Sequence, residues 1–107
     1  RLDWPQPGKT IVDHIRGLSP YPAAWTTLRR EDDGEETTAK IFAARFEPCD
    51  HGQPCGTIES DCRTFVRAAC ADGWIALEEL QIAGKKRLPV KELLLGWRDV
   101  LQYRFGE

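Results

Sequence analysis

The stretch from Ala76 to Trp97, ALEELQIAGKKRLPVKELLLGW, constrains the fold more than any other part of the chain. Ala76 to Ile82 is apolar and punctuated by two glutamates, which predicts a strand. Ala83-Gly84-Lys85-Lys86-Arg87 is a turn with three consecutive positive charges. Val90, Leu93, Leu94 and Trp97 then recur at i, i+3, i+4 and i+7, the apolar stripe of a helix. The chain thus presents a basic knuckle between a strand and a helix. Buried charges need partners, so three adjacent cations must face solvent or an anion.

The length of 107 residues suits one domain with one core. An apolar fraction of 41% is ordinary for a folded globular chain. No apolar run approaches the ~20 residues of a membrane helix. The opening RLDWPQPGKT has no apolar core of a secretory signal and no Met, so the chain reads as a piece of a longer cytoplasmic protein. Cys49, Cys55, Cys62 and Cys70 form no C-x-x-C pair, and reduced thiols are expected.

The net charge of −2 hides a segregation. Glu31, Asp32, Asp33, Glu35 and Glu36 place five acids in one loop; without them 15 bases face 12 acids. Residues 84 to 104 hold six bases (Lys85, Lys86, Arg87, Lys91, Arg98, Arg104) and two acids (Glu92, Asp99). Two readings follow: solvated charge at both places, or an anion-binding basic end.

Arg1 to Gln6 reads as the end of a linker. A helix is predicted from about Pro7 to Leu18, with Ile11, Ile15 and Leu18 on one side. Ser19-Pro20-Tyr21-Pro22 then forms an extended corner. Strands are expected at Ala24 to Leu28, Thr38 to Glu47, Thr57 to Glu59, Arg63 to Cys70 and Trp74 to Ile82. Ile41 and Ala43 fall on one face of the second strand, with Phe42, Ala44 and Phe46 on the other. Asp72-Gly73 signals a hairpin. In the last strand Ile75 and Leu77 alternate, but Leu80 and Ile82 take the other parity; a bulge near Glu78-Glu79 would return all four to one face. Five or six short strands and a helix at each end argue a small barrel or a strongly twisted sheet.

No catalytic constellation emerges. Gly-x-Ser-x-Gly, phosphate-loop and dinucleotide motifs are lacking, and adjacent Glu78 and Glu79 diverge on a strand. His14, beside Asp13 on the first helix, reads as a surface histidine. Cys49, His51, Cys55 and Cys62 are zinc-ligand types, but their spacing departs from structural zinc knuckles, so no metal site is expected. Cys70 reads as a small core residue. Phe42, Phe65 and Trp74 could stack on nucleic-acid bases, but their apolar neighbours favour core packing.

Three stretches in the same order resemble the C-terminal domain of formyltransferases: IRGLSPYPAAWT from Ile15 to Thr26, Ala71-Asp72-Gly73, and LEELQIAGKKRL from Leu77 to Leu88. Asp3-Trp4 extends the resemblance over nearly the whole chain, and the GKKR stretch looks most like the methionyl-tRNA enzymes. Ala23 stands where the family often has glycine, and the acidic loop is longer and more negative than usual. The resemblance implies a mainly β, oligonucleotide-binding-type barrel over residues 7–107, with residues 1–6 ending an interdomain linker. It implies a monomer that holds initiator methionyl-tRNA through Lys85, Lys86 and Arg87. The domain would pack on an N-terminal catalytic domain that uses 10-formyltetrahydrofolate, and would hold no cofactor itself. Without that domain the chain is not expected to transfer formyl groups. The alternatives are the structural domain of a sugar or folate formyltransferase and a stand-alone, zinc-stabilised interaction module. One of the three cations could instead pair with Glu79 or Glu92 and pin the second helix to the strand.

Overall fold

The computed structural model describes residues 2, 4–18, 24–31, 34–50, 52–61, 63–97 and 100–106. Seven antiparallel strands and two short helices follow one another as α1 (Gly8–Leu18), β1 (Ala24–Arg30), β2 (Glu36–Pro48), β3 (Ile58–Ser60), β4 (Val66–Cys70), β5 (Gly73–Ile82), β6 (Leu88–Pro89), α2 (Val90–Gly96) and β7 (Tyr103–Gly106). A 3-10 turn, Val100–Gln102, leads into β7. The hydrogen-bonded order is β3-β4-β5-β2-β1-β7, and β6 pairs with β5. A bridge between Thr57 and Arg104 joins the two edges, so the sheet is a nearly closed barrel.

The architecture is mainly β, as the short-strand spacing predicts. The strand count is seven rather than five or six, and the second helix is not terminal. The two-residue β6 and the four-residue β7 are too short to carry a period-2 signal. Yet β7 pairs with β1 through Leu28↔Phe105 and supplies Phe105 to the core. The extended corner Ser19 to Pro22, and the Ala23 departure after it, lie outside the described residues.

Leu2 and Trp4 are 2% and 0% exposed, so both supply side chains to the core. The Leu2 N–H donates to the Trp25 carbonyl at 2.9 Å. The Trp4 indole stacks on Phe105 with centroids 5.0 Å apart. Its N–H donates to the Thr26 hydroxyl at 2.9 Å, and that hydroxyl donates to the Gly106 carbonyl at 3.4 Å. A buried indole needs such an acceptor.

Helix α1 buries Ile11, Val12 and Ile15 and leaves His14 exposed. The N–H groups of Thr10 and Ile11 bond to the Pro7 carbonyl. The Asp72 carboxylate, on the turn between β4 and β5, accepts from the Gly8 N–H at 2.8 Å and so caps the helix. The hairpin residue thereby also anchors the helix.

The expected bulge in β5 is present. Leu77 pairs with Ala44 and Glu79 with Ala43, leaving Glu78 as the extra residue. Ile75, Leu77, Leu80 and Ile82 are all buried. Strand β2 carries a second irregularity: Ile41 pairs with Leu80 and Ala43 with Glu79, so Phe42 is skipped. Ile41 and Ala44 therefore enter the core together, although strict alternation sets them on opposite faces.

Strand β4 begins at Val66, three residues later than the expected Arg63, because Asp61 organises the preceding turn. Its Oδ1 accepts the N–H groups of Arg63, Thr64 and Phe65 at 2.9, 2.7 and 3.2 Å, and its Oδ2 accepts the Thr64 hydroxyl at 2.5 Å. The Thr64 hydroxyl, then the backbone donors, hold this carboxyl well below the usual carboxylate range.

Two predictions follow from this frame. Gly56 sits at the barrel seam with φ +92°, and a Cβ there would lie 2.3 Å from the Phe105 carbonyl oxygen. The Phe105 N–H also donates to the Gly56 carbonyl at 2.9 Å. Gly56→Ala is expected to lower unfolding free energy by at least about 2 kcal/mol, measured by urea denaturation. Asp61 has a folded-state pKa below its unfolded value of about 3.9, so its contribution is complete above that value and is lost as pH falls. Asp61→Asn is expected to flatten the loss of stability between about pH 4 and pH 2; an unchanged acid limb would refute the assignment.

Candidate nucleic-acid interface

The basic knuckle is the loop of a hairpin. Strand β6 folds back on β5 with Leu80 opposite Leu88, and α2 starts immediately after Pro89. Three contacts fix the loop. The Ala83 N–H donates to the Thr38 carbonyl at 2.9 Å, and the Lys85 N–H to the Ile82 carbonyl at 2.9 Å. The Gln81 side-chain amide donates to the Lys85 carbonyl at 2.9 Å. Gly84 has φ +80°, a conformation that strains any other L-residue. The backbone is thus held while Lys85 and Lys86 project into solvent.

The three cations divide into two kinds. Among the described residues, Lys85 and Lys86 have no ion-pair partner. Arg87 is committed: its Nε–H donates to Glu79 Oε1 at 2.6 Å, and a second guanidinium nitrogen pairs with the same oxygen. Its guanidinium carbon lies 4.0 Å from the centroid of the Phe42 ring. The two bulges bring Phe42 and Glu79 to one place beneath it. Arg87 therefore ties the knuckle to β2 and β5, the pinning role weighed from the sequence; its partner is Glu79, not Glu92. Helix α2 buries Val90, Leu93 and Leu94, with Trp97 at its end, as the stripe predicts.

Of the aromatic residues expected to pack inside, Trp74 is buried, opposite Glu47 and Ala69, and Phe42 and Phe65 are half-buried. Each meets a guanidinium. Arg67 lies 4.6 Å from the Trp74 centroid and 5.6 Å from that of Phe65. Burial alone would lower the Arg67 pKa, but the hydrogen bond and charge of Glu59, then those of Glu47, outweigh it and hold it above the ordinary value. An aromatic under an arginine can be shielded from water by the guanidinium as well as by apolar neighbours.

Cys49 and Cys55 carry free thiols, and burial is the main cause pushing the Cys70 thiol up. His51 and Cys62 lie outside the described residues. Among the described residues, no group of three or more His, Cys, Asp or Glu side chains is placed to hold a metal ion.

Residues 1–98 match the family model described as formyl transferase, C-terminal domain. The chain belongs to the formyl transferase C-terminal domain family. A methionyl-tRNA formyltransferase of Parabacteroides distasonis is 44% identical over 105 residues, covering 98% of this chain and 32% of that protein. One from Bacteroides fragilis is 46% identical, covering 91% of the chain and 30% of its own length. One from Staphylococcus epidermidis is 39% identical, covering 94% and 31%. The chain thus spans about a third of the length of the curated relatives it matches. Among the described residues, no helix is long and apolar enough to cross a membrane.

For this formyl transferase C-terminal domain, the division of the knuckle predicts divergent stability effects. Losing the Arg87 ion pair and ring contact costs about 1 kcal/mol. Arg87→Ala should lower the melting temperature by roughly 4–8 °C for a domain of this size. Lys85→Ala and Lys86→Ala should each shift stability by less than about 0.5 kcal/mol. Equal shifts for all three in a thermal melt would refute the division.

Proposed function

We propose that this chain is the tRNA-contacting C-terminal domain of a cytoplasmic, monomeric methionyl-tRNA formyltransferase, built on a barrel of the oligonucleotide-binding type. The observation that carries the reading is the pair of exposed lysines, Lys85 and Lys86, which have no ion-pair partner among the described residues and stand on a well-braced hairpin loop. Two fixed cations suit a phosphate backbone, whose neutralisation releases counterions and needs no base-specific contact. Arg87, the third cation of the expected binding set, supports the loop from beneath and is assigned to positioning. The names of the relatives favour the methionyl-tRNA enzyme over a sugar or folate formyltransferase.

Formyl transfer from 10-formyltetrahydrofolate to initiator methionyl-tRNA is assigned to an upstream catalytic domain, against which this domain packs. The contribution of this chain is to hold the tRNA body while the aminoacylated end reacts elsewhere. Binding energy gained far from the reacting atoms orients a substrate without touching it.

The test is the double substitution Lys85→Ala/Lys86→Ala in the full-length protein. The affinity for tRNA should fall at low salt. The slope of log affinity against log salt should become shallower by about one to two units, since each phosphate contact contributes just under one. The melting temperature should hardly change. An unchanged affinity and slope would overturn the reading.

A further inference from the structure

The knuckle stands at one edge of a polar surface whose far side carries an aromatic residue. Strand β1 turns Ala24, Thr26 and Leu28 inward and Trp25, Thr27 and Arg29 outward. Trp25 is 39% exposed, whereas Trp4, Trp74 and Trp97 are 0%, 3% and 8% exposed. Single exposed apolar residues are common and mean little alone. What surrounds Trp25 gives it meaning.

Lys40 lies directly opposite Trp25 in the β1–β2 ladder, and Gln81 lies opposite Lys40 in the β2–β5 ladder. Neighbouring strands are about 4.8 Å apart, so the row Trp25–Lys40–Gln81 spans about 10 Å across the sheet. Gln81 is the residue whose amide holds the Lys85 carbonyl, which joins the row to the knuckle. Lys40 is exposed, and among the described residues it has no ion-pair partner. Two residue pairs further along the strands, Thr27 faces Thr38 and adds two hydroxyls to the same face. Beyond them Arg29 is neutralised by Glu36 at 3.3 Å, and the exposed Glu31 and Glu35 mark the acidic hairpin end.

The surface is therefore graded. It is cationic along the line from Lys86 through Lys85 and Lys40 to Trp25, and neutral to acidic toward the hairpin tip. A polyanion is directed along the first path and repelled from the second. The platform is firm, because the Trp25 carbonyl accepts the Leu2 N–H and its strand is paired on both sides. An aromatic plane in line with phosphate-binding cations suits a chain of flat bases joined by phosphates.

We infer that Trp25 is a stacking platform for an unpaired base of bound RNA and that Lys40 contacts its phosphate backbone, extending the interface from the knuckle across the outer face of the sheet. The inference rests on the tRNA reading above and names two further residues for it. Stacking and phosphate contact have different salt signatures, which makes the two roles separable.

The experiment measures tRNA binding by the full-length protein across a salt series, for Trp25→Ala, Trp25→Phe, Lys40→Ala and the knuckle double variant, with a thermal melt of each. Trp25→Ala should weaken binding roughly tenfold with an unchanged salt slope, and Trp25→Phe should retain most of the affinity. Lys40→Ala should make the slope shallower by just under one unit. Parent-like binding by both Trp25→Ala and Lys40→Ala overturns the inference. So does a lowered melting temperature for Trp25→Ala with unchanged affinity, which would place the indole against protein. If the knuckle double variant still alters the slope in those cases, the tRNA reading stands and only this extension falls. If it does not, both fall.

Discussion

The buried indole of Trp4 is the constraint around which the barrel closes. Its N–H must have an acceptor in an interior that otherwise holds apolar groups, and Thr26 is the buried polar side chain that supplies it. The Thr26 hydroxyl passes its own proton to the Gly106 carbonyl, and the indole face lies on Phe105. One side chain from the start of the chain thereby fixes β1 against β7. Strand β7 in turn meets the β3 edge through Thr57↔Arg104 and the Gly56 carbonyl. The seam is made by backbone groups in close approach, and it admits only glycine at position 56.

The bulges in β2 and β5 connect this core to the outer surface. Each inserts one unpaired residue, so the inward set changes parity without interrupting the ladder. The inward set gains Ile41 with Ala44 and Leu77 with Leu80. The outer surface gains Phe42 and Glu79, which together receive Arg87. A core-packing requirement thus builds the socket that anchors the knuckle. The result is a loop braced at its base whose two lysines are exposed, an arrangement that suits the proposed phosphate contact.

The charge layout suits the phosphate-holding role proposed for the knuckle. Acids at the β1–β2 hairpin end and cations at the β5–β6 loop divide one outer surface between them. A protein of net charge −2 can still present a local positive path, because at physiological salt screening acts over about 8 Å. Arg87, at the foot of the knuckle, and Arg67, farther along the sheet, are spent on aromatic rings and glutamates and serve the scaffold.

Much of this was legible in the sequence because it depends on local periodicity. The α1 and α2 stripes, the Asp72-Gly73 hairpin, the basic loop and the β5 bulge all follow from which apolar residues must share a face. The parity break between Leu77 and Leu80 announced its bulge because both residues are large and apolar. The β2 bulge was silent, since Ala43 and Ala44 are small enough for either face. Tertiary structure decided the features that rest on partners distant in sequence. Trp4 became a core residue only because Thr26 and Phe105 converge on it. The short strand β7 exists because β1 and the Gly56 seam leave a ladder to fill. Arg87 ceased to be a free cation because Glu79 and Phe42 meet beneath it, while Trp25 and Lys40 became neighbours only through strand register. The sequence by itself determined the two helices, the first five strands and where positive charge collects. Which of those charges are spent within the protein, and which remain for a partner, was set by long-range pairing that no local period encodes.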